Sequence, residues 1–406
     1  MIRVYYTRII GEEGINLLSI VMPTYLMMVT ISTFMLPITI SKLVAEGKKR
    51  SISIIQNSIF VISAINIITI LLIFIFKDFI ATTCLNEPNA KYVLIAMSLT
   101  LPFISLSSII KGYFLGKQRT EPYMISNILE QLLRLIIIII FLPILVKNSY
   151  LHAVIGLMLL TIFSESFSVL IFTFFMPKKV SINKDDLKYS KKIRNEILGL
   201  SVPTVSSKII GNIGYFFEPI ILTNLLMYSG YTSSFVISEY AAFNAYAIPI
   251  LTIPAFFIQA LSQTILPEIS KYQSQNNKKM ITKRIYQSLI FTFVVGIFFS
   301  IFINFFHTDI LRILYDTSKG SQYIKILAPF FVLFYLEGIL YSILQALGKA
   351  KLAFQISVKG VLIKLIVLII LSLAHIALYS LVVAEIINII YIVFKMIKYL
   401  KKDNYI

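Results

Sequence analysis

The apolar positions of this chain gather into eleven long stretches separated by short polar breaks. They run from about Ile15 to Val44, Ile52 to Phe76, Lys91 to Gly116, Pro122 to Val146, Leu151 to Met176 and Ile197 to Leu226. Beyond these come Glu239 to Ser270, Ile285 to Phe306, Tyr323 to Leu347, Lys351 to Ala374 and Ala377 to Leu400. A helix needs about 20 mostly apolar residues to cross the hydrocarbon core, and every stretch reaches that length. Runs such as Leu135–Leu142 and Val361–Leu371 are apolar on every face, whereas barrel strands would alternate over segments of about ten residues. The pattern predicts an all-α, polytopic membrane protein with about eleven full spans. Met1–Gly11 is too short to cross and is read as the stump of a truncated first helix.

Composition agrees: 58% of the 406 residues are hydrophobic and only 14% charged, too few for a soluble surface of this size. The net charge of +18 would suit a nucleic-acid binder if it lined one groove, but it falls in alternate short loops. Lys48, Lys49 and Arg50 follow the first span, and Lys117 and Arg119 the third. A middle loop carries Lys178 to Arg194, another Lys271 to Arg284, and Lys349 and Lys351 precede a tail with Lys395, Lys398, Lys401 and Lys402. The intervening loops net close to zero, and Met227–Ser238 has no charge at all. By the positive-inside rule the basic loops and the C-terminus face the cytoplasm of a cell-membrane protein, and nucleic acid drops out as a partner. The first full span then enters from outside, which is why a helix is expected before it.

An internal repeat organises the spans. Leu36-Pro37-Ile38-Thr39-Ile40-Ser41-Lys42 recurs as Leu266-Pro267-Glu268-Ile269-Ser270-Lys271. Leu115-Gly116-Lys117 recurs as Leu347-Gly348-Lys349, and Leu133-Arg134-Leu135 as Ile363-Lys364-Leu365. All three are displaced by about 230 residues, in the same order, with six spans between equivalent points. The expectation is two parallel six-helix lobes: 1–176 with the truncated first helix, a basic cytoplasmic linker at 177–196, and 197–406 with the basic tail. Many alternating-access transporters are built so and hold substrate between the lobes.

Ionisable side chains inside spans cost about 2.5–3.5 kcal/mol each on insertion scales, so each marks a partner or a cavity. Glu130 and Arg134 stand one turn apart in the fourth span and can pair, with Gln131 beside them. Glu165 is mid-span in the fifth among Ser164, Ser166 and Ser168. Lys208 and Asn212 share a face of the sixth, with Glu218 off that face. Glu337 and Glu385 read as isolated acids of the ninth and eleventh spans, and Lys359 and Lys364 lie in the tenth. Lys42, Lys111 and Lys271 sit near cytoplasmic span ends and can snorkel to water. Internal ion pairing explains any one of these residues, but acids and bases in both lobes exceed what packing requires.

Catalytic and cofactor constellations are missing: no Walker motif, no HExxH, no GxSxG. His152, His307 and His375 are scattered and Cys84 is the single cysteine, so neither a metal centre nor an internal disulfide is expected. The chain reads as a transporter, not an enzyme, driven by Na+ or H+, by membrane potential or by a downstream sink.

Two blocks carry a family resemblance. Arg8-Ile9-Ile10-Gly11-Glu12-Glu13-Gly14 with Leu36 to Glu46, and Lys111-Gly112-Tyr113-Phe114-Leu115-Gly116 with Pro122, Ile125-Ser126, Glu130-Gln131 and Arg134, resemble the stage V sporulation protein B family. That family belongs to the polysaccharide-flippase branch of the multidrug/oligosaccharidyl-lipid/polysaccharide superfamily. The resemblance implies a MATE/flippase-like fold. It also implies transfer of an undecaprenyl-pyrophosphate-linked glycan, such as lipid II or a polysaccharide unit, from the cytoplasmic to the outer leaflet for cell-wall or spore-cortex synthesis. The expected partners are that lipid-linked oligosaccharide, membrane lipids and a Na+ or H+ ion. Arg3, Arg8, Arg134, Lys208 and Asn212 are the candidate substrate-binding residues. Glu130, Glu165, Glu218, Glu337 and Glu385 are the candidate counter-charges or ion-coupling acids. Members of the family have fourteen helices; here the first is expected to be truncated and the chain to stop where the thirteenth would begin. Two alternatives stay open at this point: a cation-coupled multidrug or metabolite antiporter of the same superfamily, and a degenerate scaffold that no longer transports.

Overall fold

A computed structural model describes residues 2–176, 190–374 and 376–405. The described residues form α-helices, π-helical stretches at Ile80–Cys84 and Ala242–Ala247, and short turns, with no strand among them. In chain order they are α1 (Ile2–Thr33), α2 (Leu36–Glu46), α3 (Ser51–Phe79), α4 (Ala90–Gly116), α5 (Thr120–Asn148), α6 (Tyr150–Phe175) and α7 (Lys191–Tyr228). Then come α8 (Ser233–Ala241), α9 (Ile248–Thr252), α10 (Ala255–Ser274), α11 (Lys278–Tyr315), α12 (Ser321–Ala346), α13 (Ala350–Ser372) and α14 (Tyr379–Lys402). Eleven helical segments among them are long and apolar enough to cross a membrane, and each overlaps one stretch read from the sequence. The first segment extends from Ile2 to Glu46, because the residues read as a stump continue into α1. They remain distinct from it: Gly11, at φ 79° and ψ 173°, breaks the helix and separates Ile2–Ile10 from the remainder of α1.

The chain divides into two compact units, Met1–Phe216 and Phe217–Ile406, and the division falls inside α7. Most of the basic linker expected at 177–196 lies outside the described residues; its end, from Lys191, already belongs to α7.

In the first unit α4 is the central helix, packed against α1, α2, α3 and α6, while α5 pairs with α6. The α2–α4 contact is close because Gly112 and Gly116, one turn apart, present no side chain to it. A Cβ on Gly112 would lie 2.9 Å from the Pro37 Cα and carbonyl oxygen, and one on Gly116 would lie 2.6 Å from the Ser41 carbonyl oxygen. This is the small-residue packing that membrane helices use to bring backbones together. The crossing that contains α1 and α2 bends at Phe34 and Met35, both at positive φ, just before Pro37. Proline lacks the N–H an unbroken helix needs there, and its ring clashes with the preceding turn. The opening of α7 packs back on this layer, where Ile193 and Ile197 join Leu36, Ile40 and Ile54 in one apolar cluster.

The second unit repeats the pattern. Its central helix α12 packs against α9, α10, α11, α13 and α14, and α13 pairs with α14. The crossing of α8, α9 and α10 bends at Pro254, the residue that caps α10. Outward faces are strongly apolar in both units, with Phe174, Phe298, Phe305 and Ile75 among the exposed side chains. Continuous apolar surface of that extent is stable against lipid and not against water.

Candidate functional site

All but Glu337 of the acids singled out within the spans fall into one charge cluster per unit. In the first unit Glu130 of α5, only 3% exposed, accepts from Lys111 Nζ of α4 at 3.0 Å and from Arg134 Nη2 at 3.1 Å. Glu165 of α6 accepts from Arg134 Nη2 at 3.2 Å, and its other oxygen lies 3.9 Å from Lys111 Nζ. Arg134 Nε donates to Ser164 Oγ at 2.9 Å. Two bases meet two acids, so the group is formally neutral. The Glu130–Arg134 pair read from helical spacing is present. Lys111 corrects its reading as a snorkelling lysine: it turns inward, because Arg134 alone would leave one of two buried carboxylates uncompensated. That missing cation was the sequence signal that could have found it.

In the second unit Lys364 of α13 lies between Glu218 of α7 and Glu385 of α14, with Nζ 2.6 Å from a carboxylate oxygen of each. Asn244, in the π-helical stretch Ala242–Ala247 between α8 and α9, donates to the other Glu218 oxygen at 3.4 Å. Glu385 is therefore not isolated, in correction of the sequence reading. With one base and two acids this group carries a formal charge of −1. Glu337 of α12 has no ion-pair partner among the described residues. It lines a cavity of about 340 Å³ together with Gln259, Ser262, Tyr341 and Ser342.

The remaining candidates stand apart from these clusters. Lys208 is exposed on α7 and has no ion-pair partner among the described residues. Asn212, one turn on, donates to Thr30 Oγ1 at 2.9 Å. Arg3 and Arg8 are exposed on the segment before Gly11. Arg3 borders a cavity of about 610 Å³ whose lining includes Asn127, Gln131 and Leu135 of α5.

The fold of these helices is shared with solved transporters of the MOP superfamily. An inward-facing multidrug MATE transporter of that superfamily aligns with a TM-score of 0.76 at 14% identity, over 99% of this chain and 93% of its own. A MOP superfamily transporter from Pyrococcus furiosus, described as having a binding pocket of reversed polarity, aligns at 0.66 and 13%, over 99% and 90%. More specifically, the chain belongs to the family described as polysaccharide biosynthesis protein, which it matches over residues 1–273. The MatE family matches residues 219–371. Stage V sporulation protein B of Bacillus subtilis is 32% identical over 372 residues, 89% of this chain and 72% of that protein. Lipid II flippase MurJ of the same organism is 24% identical over 306 residues, 70% of this chain and 55% of its own.

Proposed function

We propose that the chain flips an undecaprenyl-diphosphate-linked glycan, lipid II or a polysaccharide unit, from the cytoplasmic to the outer leaflet for cell-wall or spore-cortex synthesis. One observation carries the reading: the similarity to stage V sporulation protein B over 89% of the chain, alongside a more distant similarity to a lipid II flippase. The C-terminus is cytoplasmic in this reading, because the basic loops alternate.

A diphosphate needs cations that are not already neutralised. Lys208 meets that condition and takes the leading role, with Asn212 as a neighbouring donor; Arg3 and Arg8 enter only as exposed basic residues of the segment before Gly11. Arg134 differs, since two carboxylates and Ser164 share its guanidinium. It holds the first unit's helices in place and contributes little free charge to a ligand. The second unit's excess acid, with Glu337 facing a cavity, suits a coupling Na+ or H+.

The test is transfer of a fluorescent lipid-linked glycan in proteoliposomes. The wild-type chain is expected to exceed protein-free vesicles, and Lys208→Gln to lower the rate about tenfold, the equivalent of one charge-assisted hydrogen bond. Wild-type rates equal to those of empty vesicles would sink the function; an unchanged Lys208→Gln rate would sink only that residue's role. Glu337→Gln should abolish any dependence of the rate on an imposed Na+ or H+ gradient. A gradient response that survives the substitution places coupling elsewhere. Orientation is tested by labelling a single cysteine at Lys402 in a Cys84→Ser background from either side of the membrane.

A further inference from the structure

The first unit carries a further basic feature, built from other residues than its buried cluster, where α2 ends, the chain turns toward α3, and α7 begins. A cavity of about 470 Å³ opens there, lined by Lys42, Lys48 and Lys49 on one side and by Lys192 on the other. Two acids also line it, and both are already engaged. Glu46 pairs with Lys48 at 3.2 Å, and Glu196 pairs with Lys49. Lys42 and Lys192 have no ion-pair partner among the described residues, so the cavity keeps a formal charge of +2. Leu43 and Leu200 form its apolar wall, and Gly199 leaves it open, with nothing within 4 Å of where a Cβ would stand.

We propose that this cavity binds the phosphate headgroup of an anionic membrane phospholipid. Basic pockets between membrane helices at the cytoplasmic face, where anionic lipid concentrates, are suited to phosphate headgroups. On the orientation that the basic loops imply, the end of α2 and the start of α7 place the four lysines toward headgroup depth. The leucine wall gives the glycerol and upper acyl carbons a surface that a free phosphate would not use. A primary ammonium donates in three directions, so Lys42 and Lys192 can share one phosphodiester without a fixed fork.

The experiment is a lipid titration of the purified full chain in detergent, read by native mass spectrometry, with phosphatidylglycerol, phosphatidylcholine and inorganic phosphate as the three probes. Wild type should bind phosphatidylglycerol more tightly than phosphatidylcholine. The double variant Lys42→Gln/Lys192→Gln should weaken phosphatidylglycerol by about 30-fold and leave phosphatidylcholine unchanged. Glu46→Gln, which frees Lys48, should act in the opposite direction and tighten phosphatidylglycerol, so the test survives if the double variant does not fold. Equal binding of the two lipids by wild type, or an unchanged phosphatidylglycerol affinity in these variants, would overturn the proposal. So would full displacement of phosphatidylglycerol by millimolar inorganic phosphate, which would identify a soluble-anion site. The readout needs no transport, so its failure is separate from failure of the flippase reading.

Discussion

The two buried charge clusters stand on the same scaffold and carry different charge. A constant displacement of 230 residues relates them: Arg134 corresponds to Lys364, Glu130 to Gly360, Lys111 to Tyr341 and Ser107 to Glu337. The cation on α5 and on α13 is kept, and in each case it pairs with an acid on the helix that follows, Glu165 of α6 or Glu385 of α14. The surroundings are exchanged. A second base stands on α4 where α12 has tyrosine, and an acid stands on α12 where α4 has serine. The first unit is thereby neutral and doubly cross-linked, while the second depends on one ammonium and retains unmatched acid. A neutral, redundant cluster ties its helices together twice over, whereas the acid-rich one relies on a single ammonium.

Removing the shared cation should separate the two most sharply. Lys364→Met leaves Glu218, 2% exposed, and Glu385 facing each other with no base, a change that costs about 3–5 kcal/mol when a buried partner is deleted. Arg134→Met leaves Lys111 within 3.0 Å of Glu130 and 3.9 Å of Glu165. Its cost should be smaller, about 1–3 kcal/mol for the hydrogen bonds lost. Thermal and denaturant unfolding of the two variants in one detergent gives the comparison. Equal losses would mean that Lys111 supplies no redundancy.

Helix approach provides a second contrast at the same register. Gly112 meets the Pro37 backbone, whereas its counterpart in the second unit, Ser342, lines the cavity and donates to the Gly338 carbonyl of its own helix. Gly112→Val should force α2 and α4 apart at a cost of about 1–3 kcal/mol, the usual range for overpacking. Ser342→Val should stay within about 0.5 kcal/mol. The same unfolding measurement decides, and a costly Ser342→Val would show that α12 is as tightly seated as α4.

Much of this architecture is legible in the order of residues alone. Span positions come from apolar length, and the Glu130–Arg134 pair from helical spacing, since both are local properties of the chain. Pairings between helices are not legible in that way. Glu385 looks solitary because its partner lies on another span, and Lys111 looks like a surface lysine because its depth in the chain says nothing about which way it turns. Glu218 is marked in the sequence only as lying off the Lys208–Asn212 face, and the fold gives it Lys364 and Asn244 as partners. The basic cavity joins residues about 150 positions apart, such as Lys42 and Lys192, and no one-dimensional pattern links them.

The repeat itself offers the finest comparison, because its most obvious match is out of step. Leu115-Gly116-Lys117 and Leu347-Gly348-Lys349 are 232 residues apart, two more than Leu36-Pro37 and Leu266-Pro267 or Arg134 and Lys364. The turns show why. At the end of α4 the Arg119 N–H donates to the Phe114 carbonyl and the Gln118 N–H to that of Leu115, both at 3.0 Å. At the end of α12 the Lys349 N–H reaches the Leu344 carbonyl at 2.8 Å and the Gly348 N–H that of Gln345 at 3.0 Å. Both are the same helix-ending motif, which needs one left-handed residue just past the helix. Gln118, at φ 56°, fills that position in the first unit and Gly348, at φ 75°, in the second. Only glycine adopts this conformation without steric cost, so Gln118→Gly should stabilise the protein by on the order of 1 kcal/mol and Gly348→Gln destabilise it by a similar amount. Paired melting curves should move in opposite directions, by less than in either contrast above. If the glycine that matters is instead Gly116, Gln118→Gly will leave the melting temperature where it was.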